Sequence, residues 1–423
     1  MCRGYPAALR TPGYSQHGRA SSRTGRRSTI YTNSINRLVF MVDHVPTRLG
    51  TTRFHWFLPT RGDASTPGVV PAFRSGPRAG AREADLSYLT EVAQAAERGG
   101  FHSALTPVGI GCPDPWVVCS AIAARTERLG FIVALRPSLS SATLLAQQAD
   151  TFRKLHGDRI ILNVVTGGDP AEQAAYGSHV AHDERYEITD EVLQALTPLL
   201  QGERVDLQGR HLRLVGAQLV APAGAPVPIF FGGASDAALE VAAKAADSYL
   251  LWAEPPAELA PRIARVRELA GERPIGFGLR VHVISRDTAE EAWQVAAQMQ
   301  AGFAPEVVAK VQQRLQAMDS VGQARMRGLR STDVPADVAD LTIAPNLWTG
   351  IGLVREGVGT AIVGSHDQVV DRLVEYADLG IDEFILSGYP HREEAARVGA
   401  EVLPRFAARR AAMVRTNRLV AGF

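Results

Sequence analysis

The sequence predicts a (β/α)8 barrel with a long insertion between the seventh and eighth strands. Three observations carry this. From Arg53 onward, short apolar runs alternate eight times with helical periods, the rhythm of strand–helix units around a parallel sheet. The run RIILNVVTGGDP, Arg159–Pro170, is apolar almost without a break, as in a strand covered on both faces. It ends in Thr166, Gly167 and Gly168, so that backbone lies open at the strand end where such folds bind ligands. No GxGxxG follows any strand, and GVGTAIVG at 357–364 has the wrong spacing. This disfavours the alternative, an open doubly wound sheet, and leaves a dinucleotide without a site.

Arg53–Pro59 reads as the first strand and Asp85–Arg98 as its helix, with Leu86, Leu89, Val92, Ala93 and Ala96 on one face. His102–Pro107, Gly130–Pro137 and Arg159–Val165 follow, with helices over Asp114–Arg128, Ala142–Leu155 and Asp183–Leu200. VDLQGRHLRLVG carries a hairpin signal at Gln208-Gly209. Pro228–Gly233 is the fifth strand, and Ser235 caps its helix, Asp236–Ala246. Ser248–Ala253 with Ala257–Ala270, and Ile275–Ser285 with Thr288–Gln300, make the sixth and seventh pairs. The section 302–364 breaks the rhythm with Gly, Pro, Arg and Met in irregular order, as a lid does. Helix Asp367–Leu379, strand Glu383–Gly388 and helix Arg392–Ala408 close the barrel.

Composition narrows the function classes. The 423 residues carry a formal net charge of +1, which gives no general attraction to nucleic acid. Cys2, Cys112 and Cys119 are the three cysteines, too few for a disulfide framework, so a cytoplasmic location is expected. No apolar run is long enough for a membrane span. Residues 1–52 form an Arg/Ser-rich extension, with no Asp or Glu before Asp43. It imitates a transit peptide or, at Arg26-Arg27, a twin-arginine signal, but no apolar stretch follows the pair. A disordered tail, or a start placed upstream of Met41, fits it better. The organisation expected is therefore this extension, a barrel over 53–408 and a C-terminal tail over 409–423. Residues 60–82 read as a Gly/Pro-rich loop.

The strand ends supply Cys112, Arg136, Asn163, Thr166, Gly232, Gly233, Ser235, Trp252, Arg280, His282, Tyr389 and His391. Gly232-Gly233-Ala234-Ser235 offers free backbone N–H groups and a hydroxyl at a helix start, which suits a phosphate. Arg280 and His282 are two apart on a strand and face the same way. Inside a barrel such a pair is costly without an anion to meet. No paired carboxylates, metal spacing or GxSxG turn is present, against glycosidase, metallohydrolase and serine hydrolase chemistry.

Several ordered stretches then point to a family: FHWFLPTRGD (54–63), CPDPW (112–116), VALRPSLSS (133–141), LNVVTGGDP (162–170), HDERYE (182–187), FFGGASD (230–236), YLLWAEPP (249–256), DSVGQARM (319–326), PNLWTGIGLVREGVGTAIVG (345–364) and LGIDEFILSGYPH (379–391). With these the chain resembles the flavin-dependent alkanesulfonate monooxygenases of the bacterial luciferase-like family. The resemblance implies a luciferase-like barrel and an FMNH2-dependent monooxygenase. Reduced FMN would come from a separate NAD(P)H-dependent flavin reductase, with O2 as co-substrate. A small anionic sulfonate would lose its C–S bond to give aldehyde and sulfite. Homo-oligomers are common in the family. Carried over residue by residue, Gly233, Ser235 and Tyr186 would hold the FMN phosphate, and Asn163, Thr166, His182 and Trp252 would line the cofactor. Cys112 would stabilise the oxygen adduct. Arg280, His282 and Tyr389 would form the reaction centre, and Arg355 would close over the substrate.

Two positions depart from the family pattern. Ile110 stands where an arginine is expected, and Arg61 where a histidine is expected. A missing charge-assisted bond of about 1.5–3 kcal/mol weakens anion binding roughly 10–150-fold, and Arg61 offers a compensating charge. The departures leave open a sulfone, another organosulfur compound or a hydrocarbon as substrate. A flavin-binding protein without turnover is the reading from a different class.

Overall fold

The computed structural model describes residues 52–67, 81–224 and 226–421. The arginine-rich segment 1–51, and residues 68–80 of the expected loop, lie outside the described residues.

Eight parallel strands close on themselves. They are β1 (Arg53–Phe57), β2 (Ser103–Thr106), β3 (Gly130–Leu135), β4 (Ile160–Val165), β5 (Ile229–Gly232), β6 (Ser248–Trp252), β7 (Gly276–Arg286) and β8 (Glu383–Ser387). Each pairs with the next, and β8 returns to pair with β1. The strands carry apolar residues on both faces because helices cover the outside and side chains fill the inside. The expected barrel is therefore observed.

Alternation along the strands sorts the interior into layers. Phe57, Leu105, Ile132, Ile161, Phe230 and Ile385 pack together across the middle. Two residues earlier on their strands, His55, Ser103 and Glu383 form a buried polar floor. His55 Nδ1 meets Ser103 Oγ at 2.5 Å, His55 Nε2 meets Glu383 Oε2 at 2.7 Å, and Arg53 donates to the same carboxylate. Burial alone would raise the Glu383 pKa. The bonds from His55 and Arg53 outweigh it and hold the carboxyl below its usual range. Two residues later, toward the strand C-termini, come Asn163 and Ser387, and Arg280 pairs in register with Ile385 just before them. The motif that first suggested a ligand site thus lies at the functional end.

The section 302–364 is more regular than its composition suggests. It contains helices Pro305–Gln316 and Val321–Gly328, a hairpin of Thr342–Ala344 with Leu347–Trp348, a short helix Ile351–Val354 and a strand Ala361–Ser365. Frequent glycines hid the short strands from a periodicity reading. β7 is eleven residues long. Its first half belongs to the barrel, and His282–Arg286 pair in parallel with Ala361–Ser365 outside it. Helix starts fall where capping residues stand. Thr288 and Ser365 form capping boxes with Glu291 and Gln368. The last helical segment runs from Leu403 to Ala421, past residue 408, so residues 409–421 are helical rather than a loose tail. Helix Pro115–Ala123 stops short of the expected Arg128.

Candidate active site

The residues expected at the reaction centre come together around Phe57. The guanidinium carbons of Arg280 and Arg355 lie 4.7 Å and 4.9 Å from the centre of its ring. Both guanidiniums are within cation–π range of the ring, and the Arg355 charge acts on Arg280. Arg280 is buried and fixed by the barrel wall. Its Nη1 donates to the Val281 and Ile385 carbonyls, and its Nη2 donates to Ser387 Oγ at 2.8 Å. Burial, reinforced by the Arg355 charge, lowers its pKa well below the usual arginine value, and Tyr389 opposes the shift. Arg355 donates to Tyr389 Oη at 2.6 Å.

His282 Nδ1 meets Ser387 Oγ at 2.7 Å, and its ring stacks on Tyr389 with centroids 5.5 Å apart. Its Nε2 is buried and makes no well-formed hydrogen bond among the described residues, with the Val358 backbone as a polar neighbour. Burial and the charges of Arg280 and Arg355 push its pKa well down against that neighbour, which disfavours the charged imidazole. Behind Tyr389, His391 Nδ1 meets Asp63 Oδ1 at 2.8 Å, and Tyr88 donates to the same carboxylate. Burial works against the Asp63 charge, but these bonds hold the carboxyl below its usual range. Ser387, Phe57 and Asp63 were not singled out from sequence. Ser387 shares the inward parity of Ile385, and that was the signal available for it.

A second group lies at the ends of β4 to β6. Ser235 caps helix Asp236–Ala245 through the Ala238 amide. A methyl on Gly233 would lie 2.6 Å from Ala238 Cβ and 3.0 Å from Tyr186 Oη, so only glycine leaves this cradle open. The His182 and Tyr186 rings sit one helical turn apart, centroids 5.2 Å apart. Asn163 Oδ1 is buried without a partner. The Thr166 carbonyl accepts from Gln173 at 2.9 Å. Trp252 links the two groups, because it pairs in register with Arg280 on β7. The insertion packs on this side, with Gly322 against the Trp252 ring.

Cys112 belongs to a third part of the rim. Its neighbours are Thr60, Arg61, Glu356 and Glu172, and burial raises its thiol pKa despite Arg61. Arg136 donates to Glu172 at 2.5 Å, while its Nε and Nη1 are buried and unpaired. The two departures from the family pattern resolve differently than expected. Ile110 is 57% exposed and contributes only its amide to Glu172, so it stands outside the arginine cluster. Arg61 is paired with Glu356 at 3.0 Å and does not supply a free compensating charge.

Comparison with solved structures returns the same barrel. A riboflavin lyase solved with modified FMN and riboflavin superposes with a TM-score of 0.70 at 21% identity, covering 85% of this chain and 92% of the other. A long-chain alkane monooxygenase gives 0.69 at 21% identity over 85% and 92%. An EDTA monooxygenase from Chelativorans sp. BNC1 gives 0.67 at 21% identity over 85% and 94%. At such identities the likeness speaks for the fold. The sequence model of the luciferase-like monooxygenases, however, matches residues 52–383, from β1 to the first residue of β8. With the barrel, its mouth and that match together, the chain belongs to the luciferase-like monooxygenase family.

Proposed function

We propose that this protein is the oxygenating component of a two-component system that uses FMNH2 and O2 to cleave the C–S bond of aliphatic sulfonates, giving an aldehyde and sulfite. The observation that carries the reading is the pairing of Arg280 and Arg355 over Phe57, beside Tyr389. Two cations brought together at a partly desolvated mouth call for an anion.

The residues present fit a flavin mononucleotide. Gly233 leaves a cradle that a methyl group would fill, beside Tyr186 Oη and the start of helix Asp236–Ala245, where a phosphate is favoured. Asn163 Oδ1 has an unmade hydrogen bond in the mouth, and a ring donor would complete it. Gly233, Ser235 and Tyr186 would hold the phosphate, with Asn163, Thr166, His182 and Trp252 along the rest. When bound and reduced, FMN supplies the electrons that activate O2. The missing dinucleotide motif accords with delivery of reduced flavin by a separate NAD(P)H-dependent reductase.

Arg280 and Arg355 would bind the sulfonate oxygens, and the anion would restore the proton affinity that burial takes from Arg280. Neutral His282 presents Nε2 as a proton acceptor or, in its other tautomer, a donor. Tyr389, held by Arg355, orients its hydroxyl toward the same space. Arg355 comes from the insertion, so binding and exclusion of water are coupled. Sulfite release under air with reduced FMN, across sulfonates of varied chain length, tests the proposal. Turnover of a sulfone or hydrocarbon with no sulfonate activity would replace the substrate class, and failure with every compound would favour a flavin-binding protein without turnover.

A further inference from the structure

Among the described residues Arg355 meets the barrel wall only through the Phe57 ring, without the carbonyl bonds that fix Arg280. Its own bond is to Tyr389, and it follows a four-residue helix, Ile351–Val354. What keeps it over the mouth is found one residue on. The Glu356 carboxylate divides its two oxygens between two arginines. Oε1 accepts from Arg61, on the loop after β1, at 3.0 Å, and Oε2 lies 3.2 Å from Arg314 Nη2 on helix Pro305–Gln316. Arg314 also donates through Nε and Nη2 to Asp169 Oδ2 at 3.1 Å and 3.0 Å. Asp169 opens the loop after β4 and caps helix Pro170–Ala175 with its other oxygen. The chain Arg61–Glu356–Arg314–Asp169 therefore runs from one side of the barrel rim, through the insertion twice, to the other side. One residue beyond Glu356 the backbone is tied as well, since the Gly357 amide donates to Gln323 Oε1 at 2.8 Å.

We propose that Glu356 is a positioning residue, which holds Arg355 over the reaction cluster by drawing Arg61 of the barrel rim and Arg314 of the insertion onto one carboxylate. The inference rests on the reading of Arg355 as a substrate-closing residue. It also gives Arg61 a role in the latch. Single exposed ion pairs contribute little, but here two arginines, one on a loop and one on a helix, share one carboxylate, and the pairs are 34–46% exposed at Glu356, Arg61 and Arg314 against 11% at Asp169. Such a network holds at low salt and weakens when ions screen it.

The test uses the full chain and begins without turnover. Amide hydrogen exchange over residues 350–360 is measured in wild type, Glu356→Gln, Arg61→Gln and Arg61→Lys. Glu356→Gln and Arg61→Gln are expected to speed exchange about threefold to tenfold, with Arg61→Lys recovering most of the protection. Raising NaCl from about 20 to about 500 mM should speed exchange in wild type and change Glu356→Gln little. In turnover, Glu356→Gln should raise KM for the sulfonate about fivefold while kcat changes less than about twofold. Unchanged exchange in Glu356→Gln, or an equal salt response in both proteins, overturns the latch. Faster exchange with an unchanged KM overturns its link to Arg355. If wild type releases no sulfite, the substrate reading fails on its own and the exchange measurement still decides the latch.

Discussion

At the scale of single residues, Arg280 is a cation buried in the barrel wall. Its donors are distributed over two carbonyls and Ser387 Oγ, a planar fork that an ammonium cannot reproduce. Arg280→Lys is expected to lower kcat/KM for the sulfonate by about 10–150-fold, the range of one charge-assisted bond, while FMN affinity stays within about twofold. Sulfite assays with flavin titration check this, and an unchanged kcat/KM would remove Arg280 from the site. Parity made this residue legible: Arg280 and His282 two apart on one strand had to face the same way. Ser387 joins them in space from a strand about a hundred residues away, and no local pattern announces that. The contributions of Ile110 and Arg61 were misjudged for the same reason. Their partners, Glu172 and Glu356, are chosen by tertiary packing.

Among the elements, helix Asp236–Ala245 does two things with one residue. Ser235 Oγ accepts the Ala238 amide and faces the proposed phosphate site. Ser235→Ala is expected to cost about 1 kcal/mol of stability through the lost cap and about tenfold or more in FMN affinity. Thermal melts and flavin fluorescence quenching separate the two effects. A lowered melting temperature with unaltered flavin affinity would leave Ser235 as a cap alone. Element boundaries were readable wherever a capping residue or an apolar period marked them, and the eight barrel strands needed little more. The insertion was not, because strands of two to five residues punctuated by glycine have no period to detect. Ala361–Ser365 forms against β7 and the hairpin forms against it in turn, on a surface that exists only once the barrel is made.

For the molecule as a whole, the buried floor of His55, Ser103 and Glu383 ties acid stability to the closure of the barrel, since Glu383 is the first residue of the strand that meets β1. The folded Glu383 pKa is below its ordinary value. On acidification the unfolded chain therefore takes up the proton first, and the stabilisation, complete above the ordinary glutamate range, is lost as pH falls through the folded value. Glu383→Gln should cost about 3 kcal/mol near neutral pH, and the gap from wild type should narrow as pH falls below about 4.5. Denaturant melts across that range measure it, and a gap independent of pH would assign the loss to packing alone. Among the described residues no helix is long and apolar enough to cross a membrane.

One feature of the barrel joins these scales. β7 is a single rod with Arg280 built into the wall at its middle and the edge of the insertion seated on its outer end. Arg280 in the chamber wall and the base of its cover are thus parts of one beam. A displacement of that beam would carry both together. The cover is consequently no detachable accessory: an insertion grafted from a relative would have to match the pitch of this strand before it could match the substrate.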